Sequence, residues 1–202
     1  MNTYQALSET VIIHKNNRLL NHDDSLTLIG TGRSAFVFRI QSSDKAIKVF
    51  FPSFASLAKE EATILQMLQA IAYYPSVYEV GENYIVMDYI EGLTLFECLS
   101  HGQHITSAHL QEIDHALLLA ANQGLNPSDI HLRNIFITST GKIKMIDVAR
   151  FRQTKNCRQW ADLKRAHHHF YRKCWFPKKL PVGLLNSIAF FYKKRLIPNY
   201  RT

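Results

Sequence analysis

Four polar side chains occur beside strand-like runs, where they can take part in chemistry. Lys48 has apolar neighbours on both sides, and such a lysine is costly to bury unless it is paired or binds an anion. Asp129 and Asn134 are five residues apart in a predicted loop, so the aspartate can orient a hydroxyl while the asparagine holds a metal ion. Asp147 follows a strand-like run, a position typical of a metal or phosphate site. The structural alternatives are an edge-strand lysine, ordinary polar loop residues and a turn cap.

Two further features flank Lys48 in the sequence. The glycine-containing turn Gly30–Val37 precedes it, and glycine lets a backbone approach phosphates because it has no Cβ atom. This turn lies between two strand-like runs rather than before a helix, which disfavours a dinucleotide-binding turn and leaves an ordinary β-turn as the alternative. Glu61 follows on a predicted helix, where it can meet Lys48. Glu60 is the competing candidate, and a solvated charge pair is the alternative for either.

The elements that must position these residues change from strands to helices along the chain. Runs rich in β-branched and aromatic residues, separated by Gly, Ser and Asp, predict an antiparallel meander. The predicted strands cover 26–30, 35–40, 46–50, 76–80, 84–88, 135–138 and 142–146. Apolar residues at helical spacing predict helices over 53–71, 95–99, 107–123, 158–175 and 182–195. The fold class is therefore α+β, with strands and one helix first and mostly helices afterwards.

Local signals mark the ends of two of these helices. Ser53 or Ser56 is a candidate N-cap for the first helix, and Thr106 or Ser107 for the helix that begins near residue 107. Gly124 fits the left-handed position after the end of that second helix. The first 25 residues are polar and give no clear prediction.

Taken in order, these features resemble the protein-kinase-like superfamily. Its signature set is a glycine-rich loop, a strand lysine, a helix glutamate, an Asp-x₄-Asn loop and a metal-binding aspartate. The matching positions are Gly30–Val37, Lys48, Glu61, Asp129–Asn134 and Asp147. The resemblance covers about residues 26–150, and 87–92 looks like the hinge. It implies a two-lobed fold in which residues 1–202 form one kinase-like domain, with 26–88 as the N-lobe and 89–202 as a reduced C-lobe.

The resemblance also implies that Mg-ATP binds between the lobes. The implied nucleotide-binding residues are Gly30, Gly32, Val37, Lys48, Asp88 and Tyr89. The glycines would cover the phosphates, the lysine would bind the α- and β-phosphates, and the adenine would meet backbone groups near 88–90.

The same resemblance implies a catalytic set and a metal site. Glu61 would align Lys48, and Asp129 would orient the accepting hydroxyl. Asn134 and Asp147 would hold Mg²⁺. Positioning and neutralisation of charge carry most of the catalysis in phosphoryl transfer.

Several positions depart from the superfamily pattern. The His-Arg pair before the catalytic aspartate is replaced by Pro127-Ser128, the third glycine of the loop is Ala35, and the Asp-Phe-Gly triplet reads Asp-Val-Ala at 147–149. His131 occupies the place of a lysine that reaches the γ-phosphate in serine/threonine kinases, and Arg133 is nearby. Either side chain could stabilise the developing charge.

The short C-terminal part makes the chain resemble the compact, atypical kinases of the RIO type and the small bacterial kinase-like proteins. It is also somewhat similar to bacterial sugar kinases of lipopolysaccharide assembly, which have a short tail with an Asp-Leu helix. By that similarity, the helix at 160–163 would use Asp162 to hold the backbone of the catalytic loop.

Charge is divided unevenly along the chain. The formal net charge is +8, but residues 1–150 carry 11 basic and 15 acidic side chains, whereas residues 151–202 carry 13 basic side chains and one acidic residue, Asp162. In a kinase this basic tail is expected to receive a protein or a small anionic phosphate acceptor. Nucleic acid and a membrane surface are the less favoured partners. The apolar helix near 182–192 can lie in an anionic interface, although packing on the C-lobe is the favoured interpretation.

Composition excludes several protein classes. With 47% hydrophobic and 20% charged residues, the chain is not disordered, collagen-like or a disulfide scaffold. Its three cysteines lack paired spacing, no leader is recognisable, and no apolar run approaches the roughly 20 residues of a spanning helix. We therefore expect a cytoplasmic location.

The expected function is ATP-dependent phosphoryl transfer, with a serine/threonine protein kinase favoured. A small-molecule or sugar kinase of the same fold is one alternative, and a pseudokinase that serves as a nucleotide-binding regulatory module is another. The complete Lys/Glu/Asp/Asn/Asp set argues against the pseudokinase, while the missing His-Arg pair keeps it open.

Overall fold

A computed structural model describes residues 3–154, 157–194 and 196, and it confirms the expected two-lobed α+β architecture. The N-terminal lobe contains α1 (Thr3–Thr10), β1 (Ile12–Ile13), β2 (Leu19–Asn21), β3 (Leu26–Thr31), β4 (Ala35–Ile40), β5 (Lys45–Phe50), α2 (Ser56–Leu68), β6 (Val77–Val80) and β7 (Tyr84–Asp88). The C-terminal lobe contains β8 (Gly92–Thr94), α3 (Leu95–His101), α4 (Ser107–Asn122), β9 (Ile135–Thr138), β10 (Ile143–Met145), α5 (Gln159–Ala166) and α6 (Val182–Lys193).

A five-stranded antiparallel sheet forms the body of the N-terminal lobe, in the order β3-β4-β5-β7-β6. Five of the six residues of β5 are buried, as expected for a central strand rich in apolar side chains. The register sets Lys48 on β5 opposite Val37 on β4 and opposite Ile85 on β7. Lys48 therefore lies inside the sheet, and the edge-strand alternative is excluded.

Helix α2 packs against β6 and β7 through one apolar face. It is shorter than the predicted span 53–71, because a 3₁₀ turn at Pro52–Phe54 leads directly into it. Ala55 at the N-cap already has a right-handed helical backbone and no side chain caps the helix, so the predicted caps Ser53 and Ser56 are wrong. Glu61 lies on the buried face of this helix.

The predicted N-cap and C-terminal glycine of α4 are both confirmed. The Thr106 hydroxyl accepts a hydrogen bond from the His109 N–H at 3.2 Å, and Gly124 has a left-handed φ of 76°.

Strand β8, which was not predicted, joins β9 and β10 in a three-stranded sheet. It has only three residues and begins at Gly92, where an added Cβ would lie 2.4 Å from the Ile137 carbonyl oxygen. This close approach of two backbones explains the glycine, which looks like a mere connector in the sequence.

The N-terminal helix and the β1-β2 hairpin were also not predicted. They pack on the outer face of the large sheet, where Tyr4, Leu7 and Val11 contact a cluster of buried aromatic and aliphatic side chains. Helix α1 has eight mostly polar residues, too few for a clear periodic signal.

The C-terminal quarter is helical, as expected. Helix α5 continues into a single π-helical turn at His167–Tyr171, and α6 ends at Lys193; the predicted end of that helix, residue 195, lies outside the described residues. Trp160 is buried, and its indole N–H donates to Asp114 Oδ1 at 2.7 Å. Within the described segments, no helix is both long and apolar enough to cross a membrane.

Candidate active site

Lys48 and Glu61 form a buried ion pair between β5 and α2. The Lys48 Nζ lies 2.7 Å from each of the two carboxylate oxygens of Glu61. The exposed fractions of the two residues are 8% and 2%. A charge so deeply buried requires a partner of opposite sign. Glu60 is exposed, so the structure selects Glu61 from the two candidate glutamates.

The protonation of this pair is governed by burial and by nearby charges. Burial alone lowers the pKa of Lys48, but the carboxylates of Glu61 and Asp147 outweigh that effect and leave the pKa raised above its ordinary value of 10.5. Burial raises the pKa of Glu61, and the Lys48 ammonium opposes that shift. Lys48 is therefore a fixed cation at neutral pH.

The Asp147 carboxylate also lies near the Lys48 ammonium. Its Oδ1 lies 3.8 Å from the Lys48 Nζ, and 46% of its side chain is exposed. Its backbone is left-handed, with a φ of 58°, a conformation that aspartate tolerates better than most residues. The preceding residue, Ile146, donates its backbone N–H to the Asn134 carbonyl at 2.9 Å. That bond sets Asp147 beside the loop that carries Asn134.

A tight loop holds Asp129 and Asn134 together. The Asn134 side-chain amide donates to the Asp129 carbonyl oxygen at 3.3 Å, and the Asn134 backbone N–H donates to the His131 carbonyl at 2.9 Å. Asp129 also has a left-handed backbone, with a φ of 60°. Ser128, which stands where the superfamily has arginine, is buried, and its hydroxyl donates to the Asn126 carbonyl at 3.1 Å. The hydrogen bond of Ser128 therefore stabilises the loop at the position where the superfamily has arginine.

Two arginines, which sequence reasoning missed, converge on the Asp129 carboxylate. The Arg33 Nη2 lies 3.3 Å from Asp129 Oδ2, and the Arg150 Nε lies 3.4 Å from the same oxygen. Arg33 belongs to the turn between β3 and β4, so it crosses the cleft from one lobe to the other. No local sequence signal identifies this arginine, because its partner lies 96 positions further along the chain.

The glycine-containing turn connects directly to the ion pair. Its tip is closed by a hydrogen bond of 2.9 Å from the Gly32 N–H to the Ala35 carbonyl oxygen. Gly30 is opposite Val37 in the β3-β4 register, and Val37 is opposite Lys48 in the β4-β5 register. The three residues thus form a row across the sheet that leads from the turn to the lysine.

The hinge has two of its amide groups already engaged. The Asp88 N–H donates to the Ser76 carbonyl at 3.1 Å, and the Tyr89 N–H donates to the Asp44 carbonyl at 2.8 Å. The Asp88 carboxylate accepts hydrogen bonds from the Ser76 N–H and from the Tyr78 hydroxyl, and the latter bond raises the pKa of Tyr78 to about 12. Asp88 and Tyr89 therefore build the hinge rather than offer donors to a ligand.

The sequence matches the RIO domain family over residues 38–173. A protein of Bacillus subtilis strain 168, provisionally named serine/threonine-protein kinase YrzF, is 49% identical over 195 residues, which cover 94% of this chain and 91% of that protein. The chain belongs to the RIO domain family. A Streptomyces coelicolor protein, also provisionally named a serine/threonine-protein kinase, is 31% identical over 108 residues, or 48% of this chain and 16% of that protein. The resemblance to compact kinases of the RIO type is thus confirmed.

In this RIO domain, neither His131 nor Arg133 takes the place of the lysine that contacts the γ-phosphate in serine/threonine kinases. Burial lowers the pKa of His131 from its ordinary value of 6.5, while Asp129 and Asp147 pull it upward. His131 is therefore neutral at neutral pH. The Arg133 guanidinium lies 3.5 Å from the Phe96 ring centre and donates to Asn186 Oδ1 on α6 at 3.0 Å. It supports the last helix instead of facing the carboxylates.

The role expected for Asp162 is wrong. Its carboxylate accepts a hydrogen bond from the Tyr192 hydroxyl at 2.8 Å and pairs with Arg165 at 3.6 Å. The bond from Tyr192 ties α5 to α6, the pair with Arg165 lies within α5, and neither contact reaches the backbone of the catalytic loop. From the sequence similarity to the sugar kinases alone, an aspartate that binds the catalytic-loop backbone cannot be distinguished from one that binds a neighbouring helix.

The oxygen atoms near Asp147 fit a magnesium ion that is shared with phosphates. Mg²⁺ in phosphotransferases is typically bound through one or two protein oxygen ligands together with phosphate oxygens and water. Asp147 supplies an exposed carboxylate, and the hydrogen bond from the Asn134 amide nitrogen leaves its amide oxygen as the remaining ligand atom. Among the described residues, no cluster of three or more His, Cys, Asp or Glu side chains forms a self-sufficient metal site. Such a pair therefore suits a metal that arrives with a nucleotide.

Proposed function

We propose that this RIO domain is a magnesium- and ATP-dependent phosphotransferase whose acceptor is a serine or threonine hydroxyl of a protein. The observation that carries the proposal is the position of the Lys48 ammonium, 2.7 Å from both Glu61 oxygens and 3.8 Å from Asp147. A buried, permanently charged lysine fixed between two carboxylates is suited to hold phosphates beside a metal ligand.

ATP would bind between the lobes. Lys48 would contact its α- and β-phosphates, and Gly30, Gly32 and Val37 would cover them from the N-terminal lobe. The adenine would lie against the hinge near 88–90. Because the Asp88 and Tyr89 amides are engaged within the protein, we propose the Ile90 N–H as the hinge donor.

Asn134 and Asp147 would hold the magnesium ion. When bound, Mg²⁺ neutralises charge on the phosphates and orients them. The hydrogen bond from Asn134 to Asp129 makes the positions of ligand and catalytic carboxylate depend on each other.

Asp129 would accept a hydrogen bond from the incoming hydroxyl and orient its oxygen toward the γ-phosphate. Arg33 and Arg150 both lie within 3.4 Å of its carboxylate, so they would supply the positive charge that neutral His131 does not. Their charge, together with 13 basic side chains after residue 150, favours an acceptor with acidic neighbours.

We also propose that residues 1–202 act as one kinase-like domain, with N-lobe 26–88 and C-lobe 89–202. Its three cysteines are free thiols, which is typical of proteins in the reducing cytoplasm. The protein acceptor is supported by the names of the two relatives, both of which are described as serine/threonine-protein kinases.

The acceptor class is tested by following labelled γ-phosphate. The purified protein is incubated with Mg²⁺ and ATP labelled on its γ-phosphate, once with a dialysed protein extract and once with the small-molecule fraction. We expect label in protein, recovered as phosphoserine or phosphothreonine after acid hydrolysis, and none with Lys48→Met. Label only in small molecules would favour the small-molecule kinase, and nucleotide binding without any transfer would favour the pseudokinase.

A further inference from the structure

The last helix of the RIO domain leaves most of its apolar surface uncovered. On α6 only Leu185 is buried. The exposed fractions of its other large apolar side chains lie between 45% and 56%, and these residues are Val182, Leu184, Ile188, Phe190 and Phe191. Leu184, Ile188 and Phe191 are spaced i, i+4 and i+7, so they share one face. An exposed apolar surface of this kind typically marks an interaction site.

Helix α6 is attached along the side next to this face. There Leu185 packs into the core, Asn186 accepts a hydrogen bond from Arg133, and the Tyr192 hydroxyl donates to Asp162. The packing on the C-lobe that the sequence favoured thus holds for one edge of the helix only. The outer face, with Leu184, Ile188 and Phe191, is free of such contacts in the described structure.

Positive charge lies at both ends of the uncovered face. The exposed Lys179 precedes the helix and the exposed Lys194 follows it, whereas Lys178 donates to the Tyr171 carbonyl and Lys193 lies on the side of the helix near His131. The Lys194 ammonium is 5.9 Å from the Phe190 ring centre, so its apolar stem runs along an aromatic side chain while its charge stays in water. The whole segment 151–202 has 13 basic side chains against one aspartate. The cover must therefore be both apolar and negatively charged.

We propose that this face, Leu184, Ile188 and Phe191, docks on an anionic membrane surface, with α6 parallel to the bilayer and Lys179 and Lys194 beside its two ends. A helix of 12 residues is about 18 Å long, too short to span a bilayer but long enough to lie in its interface. The leucine, isoleucine and phenylalanine side chains would enter the acyl boundary while the lysines contact lipid phosphates. A second copy of the chain is a poor cover, because it would bring two strongly basic segments together.

Membrane docking would also orient the active-site cleft. Arg133 belongs to the loop between Asp129 and Asn134 and donates a hydrogen bond of 3.0 Å to Asn186, so this loop is linked to the helix that carries the docking face. A phosphate acceptor held at the membrane would then be presented close to Asp129. Only this consequence rests on the proposed function; the docking itself requires no catalysis.

Vesicle flotation without nucleotide tests the proposal. The full chain is mixed with vesicles of phosphatidylcholine alone or with equal parts of phosphatidylglycerol and phosphatidylcholine. We expect binding to the anionic vesicles only, weakened by salt. The triple variant Leu184→Gln, Ile188→Gln, Phe191→Gln should lose at least about tenfold in the partition coefficient, because it removes the apolar contribution. Lys179→Glu with Lys194→Glu should weaken binding to a similar degree.

Matched controls use residues of the same type and exposure elsewhere. Ile12→Gln, Leu20→Gln and Leu118→Gln also replace exposed aliphatic residues and should float like the wild type, as should Lys142→Glu. Asp147→Asn should float normally as well, which separates a failure of docking from a failure of the proposed function. A Phe191→Trp variant reports docking without loss of apolar surface, through a blue shift of its added emission on anionic vesicles.

Several results would overturn the proposal. Absence of wild-type flotation, absence of the Phe191→Trp shift, or unchanged binding by the folded triple-glutamine variant would each do so. Binding to polyglutamate that depends on the same apolar residues would assign the face to an acidic protein. A dimer in solution that the triple-glutamine variant dissociates would assign it to a second copy.

Discussion

Arg33 reaches across the cleft to Asp129, with its Nη2 3.3 Å from the carboxylate Oδ2. Because 76% of the Arg33 side chain is exposed, this ion pair contributes little to folding stability. Its importance is positional, since it places a mobile cation of one lobe beside the proposed catalytic carboxylate of the other. Arg150 approaches the same oxygen at 3.4 Å from within the C-terminal lobe.

The first prediction concerns Arg33. Arg33→Ala should lower kcat for phosphoryl transfer by about 100- to 1,000-fold, the order of effect of removing one group that stabilises transition-state charge. Steady-state kinetics with saturating Mg-ATP measure the change, and thermal unfolding should show an unaltered Tm. Arg18→Ala removes another exposed arginine of the N-terminal part of the chain and should leave kcat unchanged. Wild-type turnover by Arg33→Ala would refute the role.

The second prediction concerns the buried Lys48–Glu61 pair. Lys48→Met or Glu61→Leu alone should lower the free energy of unfolding by about 3–5 kcal/mol, because each leaves a buried charge without its partner. The double variant should recover much of that loss, since both charges are then removed, yet remain inactive. Urea unfolding of the four proteins forms the cycle.

Lys59→Met replaces an exposed lysine on the same helix and should change the free energy of unfolding by no more than about 0.5 kcal/mol. If the losses of the two single variants simply added in the double variant, the ion pair would not be the unit of stability that the 2.7 Å contacts indicate.

The third prediction concerns pH and His131. Burial lowers its pKa below 6.5 in the folded protein, so at mildly acidic pH the unfolded chain binds a proton that the folded chain does not. The free energy of unfolding should therefore fall as the pH drops below about 6.5. Burial shifts His109 and His167 in the same direction, so the wild-type loss is a sum over several histidines.

His131→Gln should reduce the loss of stability between about pH 7 and pH 5, as followed by urea unfolding at a series of pH values. His14→Gln, at an exposed histidine, should leave the wild-type dependence unchanged. An identical pH dependence of the His131→Gln and wild-type proteins would contradict the burial argument.

Part of the site was predictable because its signals are local. An isolated lysine in an apolar strand must find a partner, and the following helix offers Glu60 and Glu61 as candidates; the structure brings Lys48 and Glu61 together. Asp129 and Asn134 are close in sequence, so their joint placement needed only a compact loop. The strands of the large sheet were predicted for the same reason, since runs of β-branched and aromatic residues bounded by turn residues are a property of short segments.

The rest depends on contacts between distant segments. Arg33 and Asp129 are separated by 96 positions, and no local pattern indicates which exposed arginine will cross the cleft. Strand β8 depends on the close approach of Gly92 to Ile137, which likewise lies far along the chain. The wrong assignment of Asp162 shows the same limit, because its true partner, Tyr192, is on another helix.

The central claim is that the chain transfers the γ-phosphate of ATP with Asp147 as a metal ligand, and one comparison tests it most directly. Asparagine tolerates the left-handed backbone at this position, so Asp147→Asn removes the charge while preserving the local fold. Transfer of labelled γ-phosphate is measured for the two proteins at matched concentration in Mg²⁺. We predict clear transfer by the wild type and a rate at least about 100-fold lower for Asp147→Asn. Equal rates for the two proteins, or no transfer by the wild type to any acceptor, would contradict the account.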